Sequence, residues 1–159
     1  MLLTVVIIGI CLARLACGIT CKAHGEMLDR STRVSGNVLI VDDESIFRKN
    51  LLQSLHRDGF VAIGATTRQE AWAILRCYPI GIVLLDLGLP DGDGMEMLAQ
   101  VRREYPQMVV MVMTAQDTRE LEGQAYRLGA QAFLRKPLSL QRLKARLRQY
   151  CHSAKPTTD

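Results

Sequence analysis

From residue 38 onward, short apolar runs alternate with longer stretches of helical period. The runs are residues 38–41 (VLIV), 60–63 (FVAI), 80–85 (IGIVLL), 108–113 (MVVMVM) and the shorter 132–134 (AFL). Uninterrupted Val- and Ile-rich runs without polar alternation are the pattern of strands covered on both faces, and they predict a parallel sheet. Between them, Phe47, Leu51 and Leu55 stand four apart, Thr67-x-x-Glu70 resembles a capping box ahead of Ala71, Ile74 and Leu75, and Leu98 with Val101 makes a third stripe. Leu121, Ala125 and Leu128 form a fourth stripe that stops at Gly129, a natural helix end. Leu140, Leu143, Leu147 and Tyr150 form the fifth, with Arg142, Lys144, Arg146 and Arg148 interleaved on its other side. Strand then helix, five times over, predicts a doubly wound α/β fold on a five-stranded parallel sheet, (β/α)5.

That unit spans residues 37–151 and leaves 1–36 and a short tail, 152–159, outside it. A chain of 159 residues has room for one core and not for two ordinary domains. The apolar stretch 1–21 (MLLTVVIIGICLARLACGITC) supports three readings. As a secretory signal it lacks a basic segment ahead of the apolar run, since the first basic residue is Arg14. As a membrane anchor it would be followed by Lys22, Arg30 and Arg33, which would hold the rest of the chain on the cytoplasmic side. As translated sequence ahead of a start further along, for instance Met27, it would not be part of the working protein. Nothing after Val34 needs the stretch in order to fold.

Composition narrows the function. The formal charge of +4 is spread along the chain without a basic tract, which gives no case for nucleic acid. The 5 cysteines form no C-x-x-C pair and read as reduced thiols of a cytoplasmic protein. His24, His56 and His152 lie in unrelated segments and Trp72 reads as a packing residue of the second helix. Asp91-Gly-Asp93-Gly looks like the opening of a calcium loop, but Arg102 stands where the bidentate Glu belongs, so it reads as the turn into the third helix.

In an open parallel sheet, ligands bind beyond the carboxyl ends of the strands, where the winding reverses. Asp42 and Asp43 follow the first predicted strand, Asp86 the third, Thr114 the fourth and Lys136 the fifth. A single Asp after a strand is usually a turn former, and a single Lys is usually a solvated charge. Together they are a different matter, because carboxylates gathered at one sheet end repel unless a cation joins them. Oxygen ligands alone, few of them from protein, favour Mg²⁺ sharing its site with a phosphate. Asp86, at the central strand, is the carboxylate placed to act as nucleophile and form an aspartyl phosphate.

The segments V-D-D-E (41–44), L-L-D-L-G-L-P-D-G-D-G (84–94), M-T-A (113–115) and G-A-Q-A-F-L-R-K-P (129–137) resemble the receiver domain of bacterial two-component response regulators, and they do so in order along residues 37 to about 150. The resemblance implies a flavodoxin-like receiver fold with Asp86 as phosphoacceptor. Mg²⁺ would be held by Asp43, Asp86 and the backbone carbonyl of Gly88, with Asp42 reaching it through water. Thr114 and Lys136 would contact the phosphoryl group, the Lys136–Pro137 bond would be cis, and Thr114 with Phe133 would form the switch. A charge change at Asp86 would draw in Thr114, free space for Phe133 and reshape the face made by the fourth helix, fifth strand and fifth helix. The implied partners are a sensor histidine kinase or histidine phosphotransfer protein and a downstream protein on that face.

Three features depart from the pattern. Gln131 and Ala132 replace the acidic residues that many transcription-factor receivers use in dimers, no helix-turn-helix follows Tyr150, and the family has no counterpart of the apolar first segment. Direct nucleic-acid binding is therefore not expected, and membrane contact is expected only if residues 1–21 are an anchor.

The expectation is a cytoplasmic single-domain response regulator in a phosphorelay, catalysing only its own phosphorylation and dephosphorylation and otherwise not an enzyme. The alternatives are a transcriptional regulator lacking its effector domain and a docking adaptor independent of phosphorylation. A haloacid-dehalogenase-like phosphatase would need an Asp two residues after the nucleophile, where Gly88 stands. Gly88 and Gln116 are close enough in sequence to the site to tune hydrolysis.

Overall fold

Residues 36–115 and 118–152 are described by the computed structural model of this chain. The readings made of residues 1–35, of Gln116 and of residues 153–159 lie outside them. Five strands form one parallel sheet in the order β2-β1-β3-β4-β5. They are β1 (Val38–Val41), β2 (Ala62–Ala65), β3 (Ile82–Asp86), β4 (Val109–Thr114) and β5 (Ala132–Arg135). The helices are α1 (Ser45–Arg57), α2 (Arg68–Cys77), α3 (Gly94–Glu104), α4 (Arg119–Arg127) and α5 (Leu140–His152). The doubly wound (β/α)5 arrangement is the one the apolar runs predict, and it is the flavodoxin-like fold that the resemblance implies.

Side chains alternate across a strand, so each apolar run feeds two cores. Val38 and Ile40 of β1 pack with Leu51 and Leu55 of α1 and with Leu143 and Leu147 of α5. Leu39 and Val41 pack on the opposite face with Leu75 of α2, Leu98 and Val101 of α3 and Ala125 of α4. Covering on both faces explains why every residue of β1, β3 and β4 is buried, while the edge strands β2 and β5 are buried only in part. Trp72 lies on the second of these faces, partly buried, its ring 6.4 Å from that of Tyr105.

The second strand starts two residues later than the run at 60–63 suggests. The amide of Phe60 is committed to the end of α1, where it donates to Leu55 O at 3.1 Å while Gly59 N donates to His56 O at 3.0 Å. With Gly59 at φ +82°, this is a Schellman end, and pairing with β1 begins after it, where Val61 O accepts from Val38 N at 2.8 Å and Ala62 stands opposite Val38. The same motif closes α4, where Gly129 (φ +96°) donates to Tyr126 O and Ala130 to Ala125 O, each at 3.0 Å.

The winding reverses between β1 and β3, which are hydrogen-bonded neighbours. Their carboxyl ends carry Asp42 and Asp86, so the reversal that opens a crevice in such sheets falls at these two residues. Asp86 is itself a ladder residue, opposite Met113 of β4, and Thr114 of β4 is opposite Arg135 of β5. Among the described residues, no helix is long and apolar enough to cross a membrane.

Candidate functional site

Asp42 and Asp86 are buried, at 0% and 8% exposure, as is Thr114, and Asp43 is exposed at the rim. One carboxylate oxygen from each of Asp42, Asp43 and Asp86 lies within 4.8 Å of the others. Lys136 reaches into this cluster from the end of β5. Its Nζ stands 2.7 Å from Asp42 Oδ2 and 2.5 Å from Asp86 Oδ2, and its side chain is only 12% exposed. On another side the ammonium lies 4.5 Å from the centroid of the Phe47 ring.

The backbone fixes each carboxylate. Asp42 Oδ1 accepts from Glu44 N at 2.9 Å, and its carbonyl accepts from the guanidinium of Arg48. Asp86 Oδ1 accepts from Gly88 N at 3.1 Å, the first bond of the loop that follows β3. Lys136 N donates to Thr114 O at 2.8 Å, which ties the lysine to the end of β4, and the Lys136–Pro137 bond is cis.

The loop after β3 is a two-residue hairpin, Gly88–Leu89 against Gly92–Asp93, and it runs directly into α3 through Gly94. Asp93 caps α3 by accepting from Met95 N at 2.8 Å, so the Asp-Gly-Asp-Gly segment is the turn into this helix. Gly94 is required by close approach. A Cβ there would meet Leu87 Cα at 2.6 Å and Asp86 O at 2.7 Å. Gly88 is unlike it, since a Cβ would meet only Asp86 Oδ1, at 3.9 Å.

Burial holds Asp42 above the usual carboxylate range, although Lys136 and the amide of Glu44 act in the opposite direction. Burial alone would lower Lys136, but the hydrogen bonds to Asp42 and Asp86 outweigh it and the ammonium is held above its ordinary range. Three clustered carboxylates face one ammonium, with the Arg48 guanidinium on the Asp42 carbonyl beside them, so negative charge is in excess at the pocket. A divalent cation fits that excess, and among the described residues the clustered donors are carboxylate oxygens, which suit a hard cation and offer nothing to a soft one.

Thr114 is buried at the end of β4, and Phe133, 9% exposed, lies on the neighbouring strand opposite Val112. Gln131 turns inward instead of presenting a charge. Its Oε1 accepts from Val110 N at 2.7 Å and its own N donates to Val110 O at 2.8 Å, which extends the β4–β5 ladder by one residue. Phe47 and Arg48 are the site residues that the sequence reading passed over. The available signal was position: Phe47 heads the Phe47, Leu51, Leu55 stripe and so lies closest to the strand ends.

An acidic pocket with one lysine, set where the winding of a (β/α)5 sheet reverses, defines the receiver class of signalling domain. The sequence matches the response regulator receiver domain over residues 38–148, and the chain belongs to that family. It is 36% identical over 111 residues to the transcriptional regulatory protein PmrA of Pectobacterium parmentieri, covering 70% of this chain and 50% of that protein. To the KDP operon transcriptional regulatory protein KdpE of Escherichia coli it is 37% identical over 112 residues, covering 70% of this chain and 49% of that one. It thus spans about half the length of these curated relatives. A crystal structure of a response regulator protein from Burkholderia pseudomallei, with a phosphorylated aspartic acid, a calcium ion and citrate, superposes with a TM-score of 0.66 at 25% identity, covering 74% of this chain and 69% of that one.

Proposed function

We propose that this chain accepts a phosphoryl group on Asp86 from the phosphohistidine of a sensor kinase or phosphotransfer protein, and that it acts in the cytoplasm. The observation that carries the reading is the position of Lys136 Nζ between Asp42 Oδ2 and Asp86 Oδ2, at 2.7 and 2.5 Å, inside a cluster of three carboxylates. One oxygen of Asp86 attacks phosphorus, the new O–P bond forms as the donor's P–N bond breaks, and the electron pair returns to the imidazole, which leaves as the neutral ring with the proton already on its other nitrogen. Lys136 faces the charge that arrives on Asp86, and Thr114, buried at the end of β4, lies on the strand beside it. Asp43, Asp86 and the Gly88 carbonyl would hold Mg²⁺, with Asp42 reaching it through water. When bound, that ion would neutralise phosphoryl oxygens and so lower the barrier to attack by an anion. The phosphorylated aspartate and calcium ion of the Burkholderia protein support both assignments. No independent substrate is turned over.

Output runs through the face of α4, β5 and α5. Phe133, Arg135, Leu138, Arg142 and Arg146 line a groove of about 330 Å³ there, so a change at Phe133 changes a surface that a partner protein can read. A second reading, that the chain corresponds to the receiver part of a transcriptional regulator, is favoured by the length and names of its curated relatives.

The test is intact mass of the full chain incubated with Mg²⁺ and acetyl phosphate, beside Asp86→Ala. Gain of one phosphoryl group that needs Mg²⁺ and is absent from the variant is the expected result. A folded chain that gains none from acetyl phosphate or from a phosphorylated kinase would be a docking adaptor instead.

A further inference from the structure

Lys136 has three supports, and they are not equivalent. Two are the carboxylates of Asp42 and Asp86, at 2.7 and 2.5 Å, and the third is the face of Phe47, with its centroid 4.5 Å from Nζ. Both carboxylates belong to the cluster that suits a divalent cation. When a cation and a phosphoryl group engage them, their hold on the ammonium weakens. The ring is neutral, binds no metal, and is the support for which neither newcomer competes.

We propose that Phe47 is a positioning residue for Lys136: the ring face keeps the ammonium over the site while Asp42 and Asp86 turn to the cation and the phosphoryl group. The inference rests on the reading of Asp86 as phosphoacceptor. Placement supports it. Phe47 stands in the first turn of α1, four residues after Asp43, and the start of that helix is tied to Asp42 twice, by Glu44 N at 2.9 Å and by the Arg48 guanidinium on the Asp42 carbonyl. The ring is therefore held by the same segment that holds the carboxylates. Lys136 follows the edge strand β5 and reaches the site on a flexible four-carbon stem, and it gains most from a fixed surface. Its 12% exposure also favours the contact, because an ammonium shielded from water is drawn more strongly to the negative face of a ring.

The competing account is that Phe47 only packs, since it is partly buried against the core beneath α1 and α5. Fluorination separates the two, because it withdraws charge from the ring face with little change of shape. In the full chain, Phe47 is replaced by mono-, di- and trifluorophenylalanine, and initial rates of phosphorylation by acetyl phosphate are followed by intact mass. The rate is expected to fall stepwise, to roughly three- to tenfold below the unmodified chain at trifluorophenylalanine. Phe47→Leu should fall as far and Phe47→Trp should recover the rate, with Mg²⁺ affinity the same throughout. A flat series in a chain that phosphorylates normally, or a loss matched by an equal loss of Mg²⁺ affinity, overturns the role of Phe47 and leaves the Asp86 reading standing. An unmodified chain that takes no phosphoryl group sinks both.

Discussion

Two clusters of acidic and basic side chains lie at either end of the loop that leaves β3, and they use the same residue types to opposite ends. In the pocket, Asp42 and Asp86 share one ammonium, Asp43 stands beside them at the rim, and the three keep oxygens in reserve for a cation. At the corner where this loop meets α2, the carboxylates are committed to partners. Asp91 takes Arg68 N at 2.9 Å and Gln69 N at 3.0 Å, Glu96 takes the guanidinium of Arg68 at 2.9 Å, and Glu70 takes Thr66 N at 2.7 Å. The helices follow the same division: α2 has Thr67 as cap and Glu70 in its first turn, while α1, which begins at the pocket, has no side-chain cap and no acid in its first turn. Burial would raise Asp91, but the two amides outweigh it and hold its carboxyl below the usual range, whereas Asp42 is held above it. A carboxylate that spends its lone pairs on backbone amides adds to stability. One that keeps them in a buried cluster costs stability and retains reactivity.

The largest expected effect comes from the residue that joins the two clusters. Gly94→Ala would press a methyl group against Leu87 Cα and Asp86 O, backbone atoms that cannot swing aside, and should cost about 1–3 kcal/mol in urea unfolding. The opposite sign is expected at Gly123 of α4, where a Cβ would meet only the tip of Arg127 at 3.4 Å. There Ala should gain about 0.5–1 kcal/mol through helix propensity alone. Equal effects at both positions would mean that the loop is not clamped between Asp86 and α3.

The corner comes next. Asp91→Ala leaves the first amides of α2 without their acceptor and should cost about 1 kcal/mol at neutral pH, as loss of a helix cap does. Because the Asp91 carboxyl is held below its ordinary value, near 3.8, its contribution is present above that value and disappears as pH falls through the lower value of the folded chain. Urea midpoints of variant and parent should therefore converge in acid. A gap that persists there would make Asp91 a steric element and not an electrostatic one.

How much of this was legible in advance follows from the range over which each feature is set. Continuous apolar runs declare buried strands, and strand order places Asp42 and Asp86 side by side, because a doubly wound sheet must reverse somewhere and the chemistry collects there. The missed features depend on where a distant segment arrives. Phe60 reads as strand until its amide is seen to close α1. Glu70 reads as the second half of a capping box, yet its carboxylate goes to Thr66, both to N and to Oγ1, and the neighbouring amides of α2 are satisfied by Asp91, more than twenty residues away. Phe47 belongs to the apolar stripe of its helix, and only the arrival of Lys136 from β5 gives its ring a second use.

The smallest expected effect is also the sharpest contrast with the corner. Asp42→Asn removes one of the three clustered carboxylates and leaves Lys136 paired with Asp86. Since burial holds the Asp42 carboxyl above its ordinary value, the folded chain binds a proton there more tightly than the unfolded chain. The stability tied to that proton is complete below about the unfolded value of 3.8 and is lost as pH rises through the folded one. Without divalent cations, Asp42→Asn should therefore equal the parent in acid and exceed it at neutral pH by on the order of 0.5 kcal/mol, opposite in sign to Asp91→Ala. Saturating Mg²⁺ should invert the order, because it stabilises the folded state that binds it and the variant binds it less well. If the Asn variant stays ahead of the parent in Mg²⁺, the surplus charge around Asp42 is not a cation site and the pocket is an ion pair left over from folding.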